Sequence, residues 1–281
     1  PARLVGSRYP SKGRAEVLLV RELEPLNWEA LVRPGNRLRR GALLRFGNGE
    51  LSAEMLDDPG PELRTLKFSC REPLEVLLDT LGQTPLPPYI KRHENELPQD
   101  RERYQTVFAR HRGAIAAPTA GLHFTKDLLK QIQLAGAETV ELTLHVGYGT
   151  FAPVRVVDVT AHQVAAEDFA ISEATARRIN ACRSAGGRII AVGTTTTRAL
   201  ESAVDAFGNL EPRRESAQVT ITPGYRFRAV GALLTNFHLP QSSLLLLVAA
   251  FAGRDFLLEA YRHAVKERYR FYSYGDCMLI L

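Results

Sequence analysis

The hydrophobic pattern of this chain changes its period part-way along, and that change restricts the possible folds more than any other feature. Before residue 70 the apolar residues come in short alternating or compact runs: Ala15–Val20, Trp28–Val32, Leu43–Phe46, Leu51–Met55 and Leu63–Phe68. A period of two is the spacing of side chains on one face of a half-buried strand. Pro34-Gly35-Asn36, Gly47-Asn48-Gly49 and Asp57-Asp58-Pro59-Gly60 supply turns between the runs, and Asn48-Gly49 predicts a tight hairpin. Short strands at this spacing predict a small antiparallel β-barrel. A helix over Pro73–Leu81 follows. The proline-rich stretch Pro85–Tyr89 is then an extended connector, so a barrel domain over residues 1–84 is expected.

From residue 85 to 281 helix and strand patterns alternate, which predicts a layered α/β domain. Helices are expected over Asp100–Arg110, over Lys126–Leu134 between the cap Thr125 and the stop Gly136, and from the cap Ser172 to Ala185. Further helices are expected over Thr194–Val204, Leu244–Ala252 and Phe256–Arg268, with strands over Thr139–His145, Arg188–Val192 (buried) and Met278–Leu281. The chain opens on Pro1 rather than methionine, and its first residues already have mid-domain character. That predicts a further segment ahead of them.

At 281 residues, with 45% hydrophobic and 24% charged residues, the chain can bury a sizeable core. The longest apolar run, Leu244–Ala252, is far shorter than the roughly 20 residues of a membrane-spanning helix, and the start has no signal-peptide pattern. Cys70, Cys182 and Cys277 are distant from one another, which suggests neither a disulfide framework nor a zinc knuckle and makes a reducing, cytoplasmic setting the expectation. The net charge is +5. Arg33, Arg37, Arg39, Arg40 and Arg45 share an acid-free stretch, and Arg262, Lys266, Arg268 and Arg270 crowd near the end. Such groups suit phosphates and equally suit a solvated face.

Several enzyme classes lack their signatures. There is no GxxxxGK[ST] and no GxSxG, and Gly147-Tyr148-Gly149 has no third glycine. The seven histidines form neither HxH nor HExxH. Five other segments carry chemistry. Ala116–Thr125 sets small residues, among them Thr119 and Gly121, before a helix cap, where backbone amides can meet a carboxylate or phosphate. His123 there suits donation to a heterocycle or proton shuttling, or a compact turn with a core histidine. His145, followed by Gly147 and Gly149, ends a strand, where layered sheets bind ligands, although glycines also serve plain turns. Gly193-Thr194-Thr195-Thr196-Thr197-Arg198 opens a helix whose hydroxyls and amides suit an anion; the structural alternative is an Arg198–Glu201 salt bridge. Asn236 and Phe237, ahead of His238, suit reading and stacking on a purine, or a capped turn. Tyr269-Arg270-Phe271-Tyr272-Ser273-Tyr274-Gly275-Asp276 interleaves aromatics with charge, as in recognition of unpaired bases or in an ordinary aromatic core.

In this order these segments, together with Pro85-Leu86-Pro87-Pro88-Tyr89-Ile90 and Tyr104-Gln105-Thr106-Val107, resemble the S-adenosylmethionine:tRNA ribosyltransferase-isomerases of queuosine synthesis along the whole chain. Pro118-Thr119-Ala120-Gly121-Leu122-His123-Phe124 with Thr235-Asn236-Phe237-His238-Leu239-Pro240 carries most of the resemblance. It implies an α/β fold, a three-layer α/β/α sandwich with an inserted small antiparallel β-barrel, and further N-terminal strands before Pro1. It also implies transfer and isomerisation of the ribosyl part of S-adenosylmethionine onto 7-aminomethyl-7-deazaguanine at the tRNA wobble position. The products implied are epoxyqueuosine, adenine and methionine. S-adenosylmethionine is then a co-substrate, with no prosthetic group and no metal. The partner is a tRNA with a GUN anticodon, with no membrane and no obligate protein partner, and the enzyme is a cytoplasmic monomer.

This chemistry calls for acid–base groups, and His123, His145 and His238 are the candidates, with Asp276 or Glu167 orienting an imidazole. Thr194, Thr195 and Arg198 are candidates for the methionine carboxylate or a tRNA phosphate. Thr119, Gly121, Gly147, Gly149, Asn236, Phe237, Tyr269, Arg270 and Tyr274 are candidates for substrate contacts. The chain departs from many relatives in having Ala165 where they have a second histidine. Two other readings compete: a noncatalytic RNA-binding module, and a metal-dependent hydrolase, which predicts tightly bound zinc or iron.

Overall fold

The computed structural model describes residues 1–60, 62–87, 89–90, 99–148, 158–159 and 162–281. The chain divides into two compact units, Pro1–Tyr104 and Gln105–Leu281. The first holds strands β1 Arg3–Tyr9, β2 Arg14–Glu24, β3 Asn27–Arg33, β4 Leu43–Phe46, β5 Leu51–Met55 and β6 Arg64–Cys70. They close as an antiparallel barrel in the order β1-β2-β3-β6-β5-β4, with β4 returning to β1. Alternation sorts the two faces. Leu44 and Phe46 of β4 point inward, as do Leu51, Ala53 and Met55 of β5, while Leu43 and Arg45 point out. The β4–β5 hairpin forms at Asn48-Gly49, with a loop from Gly47 to Glu50 between the paired residues Phe46 and Leu51. Arg64 is buried at the interior face, where its guanidinium donates to the carbonyls of Gly35 (3.3 Å), Leu38 (2.9 Å) and Asp57 (2.5 Å). Those acceptors offset the cost of removing its charge from water. Helix α1, Leu74–Leu81, lays Leu74 and Leu77 on the barrel core. Strand β1 has only Leu4 fully buried, so it gives no clear alternating signal in the sequence.

The second unit is α/β. Strands β7 Thr143–His145, β8 Glu167–Ile171 and β10 Arg213–Ala217 make one antiparallel sheet, ordered β10-β8-β7. Strands β9 Ile190–Val192, β11 Ala232–Asn236 and β12 Cys277–Ile280 make another, in which β11 runs parallel to β9 and antiparallel to β12. After the short α2, Asp100–Arg103, at the end of the first unit, the helices are α3 Lys126–Leu134, α4 Glu173–Ser184, α5 Thr194–Ser202, α6 Ser243–Ala252 and α7 Arg254–Lys266. Phe169, Ile179, Leu200, Leu233, Val248 and Leu257 belong to its core. The caps act as their chemistry dictates: Thr125 Oγ1 accepts the Leu128 N–H, Ser172 Oγ that of Thr175, and Ser242 Oγ that of Leu245. Among the described residues no helix is long and apolar enough to cross a membrane.

Two expected elements are much shorter than their patterns, and a third is both shorter and more exposed. The helix expected to Arg110 stops at Arg103, and beyond it Gln105 Oε1 takes the Thr106 N–H at 2.9 Å in place of a helical carbonyl. The strand expected over Thr139–His145 pairs only from Thr143. The strand expected to be buried at Arg188–Val192 is an edge strand whose Ile190 is 50% exposed.

Candidate active site

The parallel strands β9 and β11 finish at one edge of their sheet, the edge where α/β folds gather ligands. After β9 the chain turns at Gly193, whose φ of 93° only glycine adopts readily, and enters α5. A Cβ at Gly193 would lie 3.6 Å from the Ala120 Cβ, so the 3-10 turn Thr119–His123 lies beside the start of α5. Strand β11 finishes at Asn236, whose side chain joins three segments. Its Nδ2 donates to the Tyr272 carbonyl at 3.2 Å and lies 3.0 Å from His123 Nε2, while its Oδ1 accepts from Thr119 Oγ1 at 3.3 Å. The Tyr272 carbonyl can only accept, which settles the amide orientation. His123 Nε2 must therefore accept, and the neutral ring carries its hydrogen on Nδ1. Burial pulls the His123 pKa below the ordinary 6.5, although Asp276 pushes it up and Arg270 pulls it down.

The turn after α7 is locked from within. Asp276 Oδ2 accepts the Arg270 N–H at 2.7 Å, the Asp276 N–H returns to the Arg270 carbonyl at 2.7 Å, and Arg270 Nη2 reaches Asp276 Oδ1 at 3.0 Å. The pairing with Arg270 holds the Asp276 carboxyl below its usual range. Gly275 has no room for a side chain, since a Cβ would fall 2.4 Å from the Arg270 carbonyl oxygen. The turn thus sets an ion pair beside a neutral imidazole, which can donate from Nδ1 to a heterocycle. Among the described residues no three His, Cys, Asp or Glu side chains are placed to hold a metal ion.

The queuosine biosynthesis protein family model matches residues 1–280. The chain belongs to that family. It is similar to S-adenosylmethionine:tRNA ribosyltransferase-isomerases from Moorella thermoacetica (51% identity over 282 residues), Symbiobacterium thermophilum (50% over 281) and Desulforamulus reducens (46% over 281). Each alignment covers 100% of this chain and 81% of the relative. A crystal structure of S-adenosylmethionine tRNA ribosyltransferase from Thermotoga maritima is also similar, with 35% identity, 100% of this chain and 78% of that chain covered, and a TM-score of 0.46.

In this member of the queuosine biosynthesis family the other anticipated residues divide. Thr194 and Thr195 are buried in the first turn of α5 next to the Thr119–His123 turn, and Gly147 has open space around its α-carbon. His145 ends β7 with its ring against Gly113, and its Nδ1 is buried without a hydrogen-bond partner among the described residues. The carbonyl of Val146 accepts the N–H groups of Ile115 and Ala116, which ties this strand end to the segment leading to Thr119. Tyr269 directly precedes the Arg270–Asp276 turn and Tyr274 lies within it. Gly149 lies outside the described residues.

Five of the anticipated residues, Arg198, Glu167, Phe237, Gly121 and His238, are engaged by the protein itself. Arg198 and Glu167 pair with each other at 2.7 Å, both buried, and Arg198 also donates to the carbonyls of Val219, Ala165 and Ala217. Its donors are satisfied by protein rather than turned to an anion, and it does not bridge to Glu201, which binds the amides of Arg228, Ala229 and Val230. Of the two carboxylates considered as orienting groups, Asp276 is the one whose charge His123 feels. Phe237 is packed among Tyr261, Tyr269 and Phe271 at centroid distances of 5.4, 5.8 and 5.1 Å, so its faces are unavailable to a purine. Gly121 is required for packing, since a Cβ would meet Thr106 and Phe108 at 2.8 Å, and its N–H closes the turn onto Pro118. His238 is buried with Nε2 2.8 Å from Thr235 Oγ1, and burial alone lowers its pKa to about 4. Sequence reading missed Thr235 and Tyr261, whose hydroxyl accepts the His238 N–H at 2.7 Å. No linear spacing connects Tyr261 on α7 with the end of β11.

Proposed function

We propose that this chain is a tRNA-modifying transferase-isomerase that moves the ribosyl part of S-adenosylmethionine onto a tRNA base in queuosine biosynthesis. The finer reading is that the acceptor is 7-aminomethyl-7-deazaguanine at the wobble position of GUN-anticodon tRNAs. The products are then epoxyqueuosine, adenine and methionine. The observation that supports it best is a neutral His123, fixed by Asn236 beside the Arg270–Asp276 pair, in a chain matched along its length by that family.

The reaction joins the aminomethyl nitrogen to the ribosyl unit and breaks that unit's bonds to adenine and to the methionine sulfur, the bond to sulfur being replaced by a carbon–oxygen bond as the epoxide closes. The amine gives up a proton, and adenine leaves carrying one. The sulfonium acidifies the adjacent ribose carbon, so a base can remove a proton there. His123 has its Nδ1–H available to a ring nitrogen of the departing adenine, and His145, at the end of β7, is the candidate to take a proton. Asp276 tunes His123 through its charge, and Asn236 positions the ring. Thr194 and Thr195 line the helix start that suits the methionine carboxylate.

The test mixes the protein with S-adenosylmethionine and tRNA carrying the aminomethyl base, then measures adenine and methionine by chromatography. Release of both, dependent on that tRNA, is expected. Neither being released with folded protein would reject the proposal.

A further inference from the structure

At the opposite end of the parallel strands, the chain builds a second feature. Arg188-Ile189 leads into β9 and Gly231 into β11, and the Gly231 and Ala232 N–H groups both bond the Ile189 carbonyl. Between these strand starts lies a cleft of about 360 Å³ with Arg183, Arg188 and Arg228 in its walls and the backbone of Gly186, Gly187 and Gly231 along it. The cleft lining holds no acidic residue. Glu201 is 1% exposed and turned inward onto the amides of Arg228, Ala229 and Val230, and the Asp205 carboxylate is bonded within its own turn to the N–H groups of Phe207 and Asn209. Arg183 and Arg228 are set in place by carbonyls: Arg183 Nη2 donates to the Arg228 carbonyl at 2.7 Å, and Arg228 Nη1 to that of Asp205 at 3.4 Å. Among the described residues none of the three arginine side chains forms an ion pair, and those of Arg188 and Arg228 are exposed.

An aromatic ring stands beside this charge. Phe207 is 91% exposed, yet the turn that carries it is rigid: Asp205 Oδ1 accepts the N–H groups of Phe207 and Asn209, each at 2.8 Å. The turn abuts the cleft wall, since a Cβ on Gly208 would lie 3.1 Å from Arg183 Nη2. Holding an apolar ring in water on a braced turn, next to unpaired guanidinium groups, is the combination that binds single-stranded or looped RNA. The cations meet phosphates and the ring stacks on an unpaired base.

We propose that the Arg183–Arg188–Arg228 cleft with Phe207 is an RNA-docking surface that holds the tRNA away from the reacting base. The inference rests on the tRNA reading above and adds where the backbone is gripped. Strand β11 has five residues, so the surface lies on the order of 15 Å from Asn236 along the strand, within the reach of one anticodon arm. Phosphate contacts set affinity and register without reading sequence. The surface therefore governs capture of the tRNA rather than the bond-making step.

Arg188 is the residue to alter, because Arg183 and Arg228 also brace the local backbone. Binding of tRNA would be measured as a function of salt for the wild-type chain and for Arg188→Glu, Arg188→Ala and Phe207→Ala. Arg188→Ala should weaken binding several-fold and lower the slope of log affinity against log salt by about one, with Arg188→Glu about ten-fold or more weaker. Phe207→Ala should cost about five-fold with the slope unchanged. S-adenosylmethionine affinity should not move in any variant. Thermal melts would show that the variants are folded, and Arg188→Ala carries the test if Arg188→Glu is not. Unchanged tRNA affinity in the folded variants, or a wild-type chain that binds no tRNA, would overturn the surface. Absence of adenine release from a wild-type chain that does bind tRNA would instead overturn the proposed reaction and leave the docking surface standing.

Discussion

Arg198 and His123 both sit among polar partners in the second unit, but their surroundings differ. The Arg198 guanidinium is 4% exposed and donates to one carboxylate and three carbonyls. His123 is half-buried, is held at one ring nitrogen by Asn236, and has its other nitrogen free of any hydrogen bond to a described side chain. A buried charge with matched partners is committed to structure, because any rearrangement strands it in a poor dielectric. A half-buried imidazole held at one end keeps a donor for something else. The contrast separates a brace from a candidate reacting group, although both were anticipated as parts of one site.

The contrast is easiest to break at Arg198. Arg198→Ala leaves Glu167 buried without its cation and should lower stability by about 3–5 kcal/mol, measured by denaturant unfolding. A loss near zero would mean that the pair is not a brace. His123→Ala should cut turnover by about 10²–10⁴-fold while barely moving the melting temperature. Equal losses of activity and stability would put His123 with Arg198 instead.

His238 sharpens the comparison, because it is an imidazole that behaves like the brace. Its folded pKa of about 4 lies below the ordinary 6.5, so the unfolded chain binds the proton first as pH falls. The stability it confers is complete above about pH 6.5 and declines towards pH 4, by roughly 3 kcal/mol in all. His238→Gln should flatten the stability–pH curve in that window, and an unchanged curve would remove His238 as its source. The smallest expected effect is at Asp276. Its charge raises the His123 pKa, so Asp276→Asn should move the acid limb of kcat/KM to lower pH. A limb moving the other way would show that His123 does not control it.

Much of this architecture is legible in the sequence alone. The period-two runs became β2 to β6 of a closed barrel, since in a small barrel each residue faces either the core or water and the alternation records which. The helices after Thr125, Ser172 and Ser242 start where local hydroxyls can take orphan amides. Strands β8, β10 and β11 were missed. β10 in particular reads Arg213-Arg214-Glu215-Ser216-Ala217, and only Ala217 of it is fully buried, so nothing in its pattern distinguishes it from a loop.

The sequence by itself determined where five of the barrel strands lie and where the capped helices start, because caps, turns and alternation act over a few residues. It also placed Thr119, His123, Asn236, Arg270 and Asp276 among the residues to watch. Which of them would meet was decided only by tertiary structure. Arg198 has a carboxylate three residues along its own helix in Glu201, yet it pairs with Glu167, 31 residues away, because both point into the same buried space. Thr119 finds Asn236 across 117 residues for the same reason. Local bonds are selected by chain connectivity, whereas a buried polar group takes whatever partner the packed core brings within reach, and that depends on the whole fold.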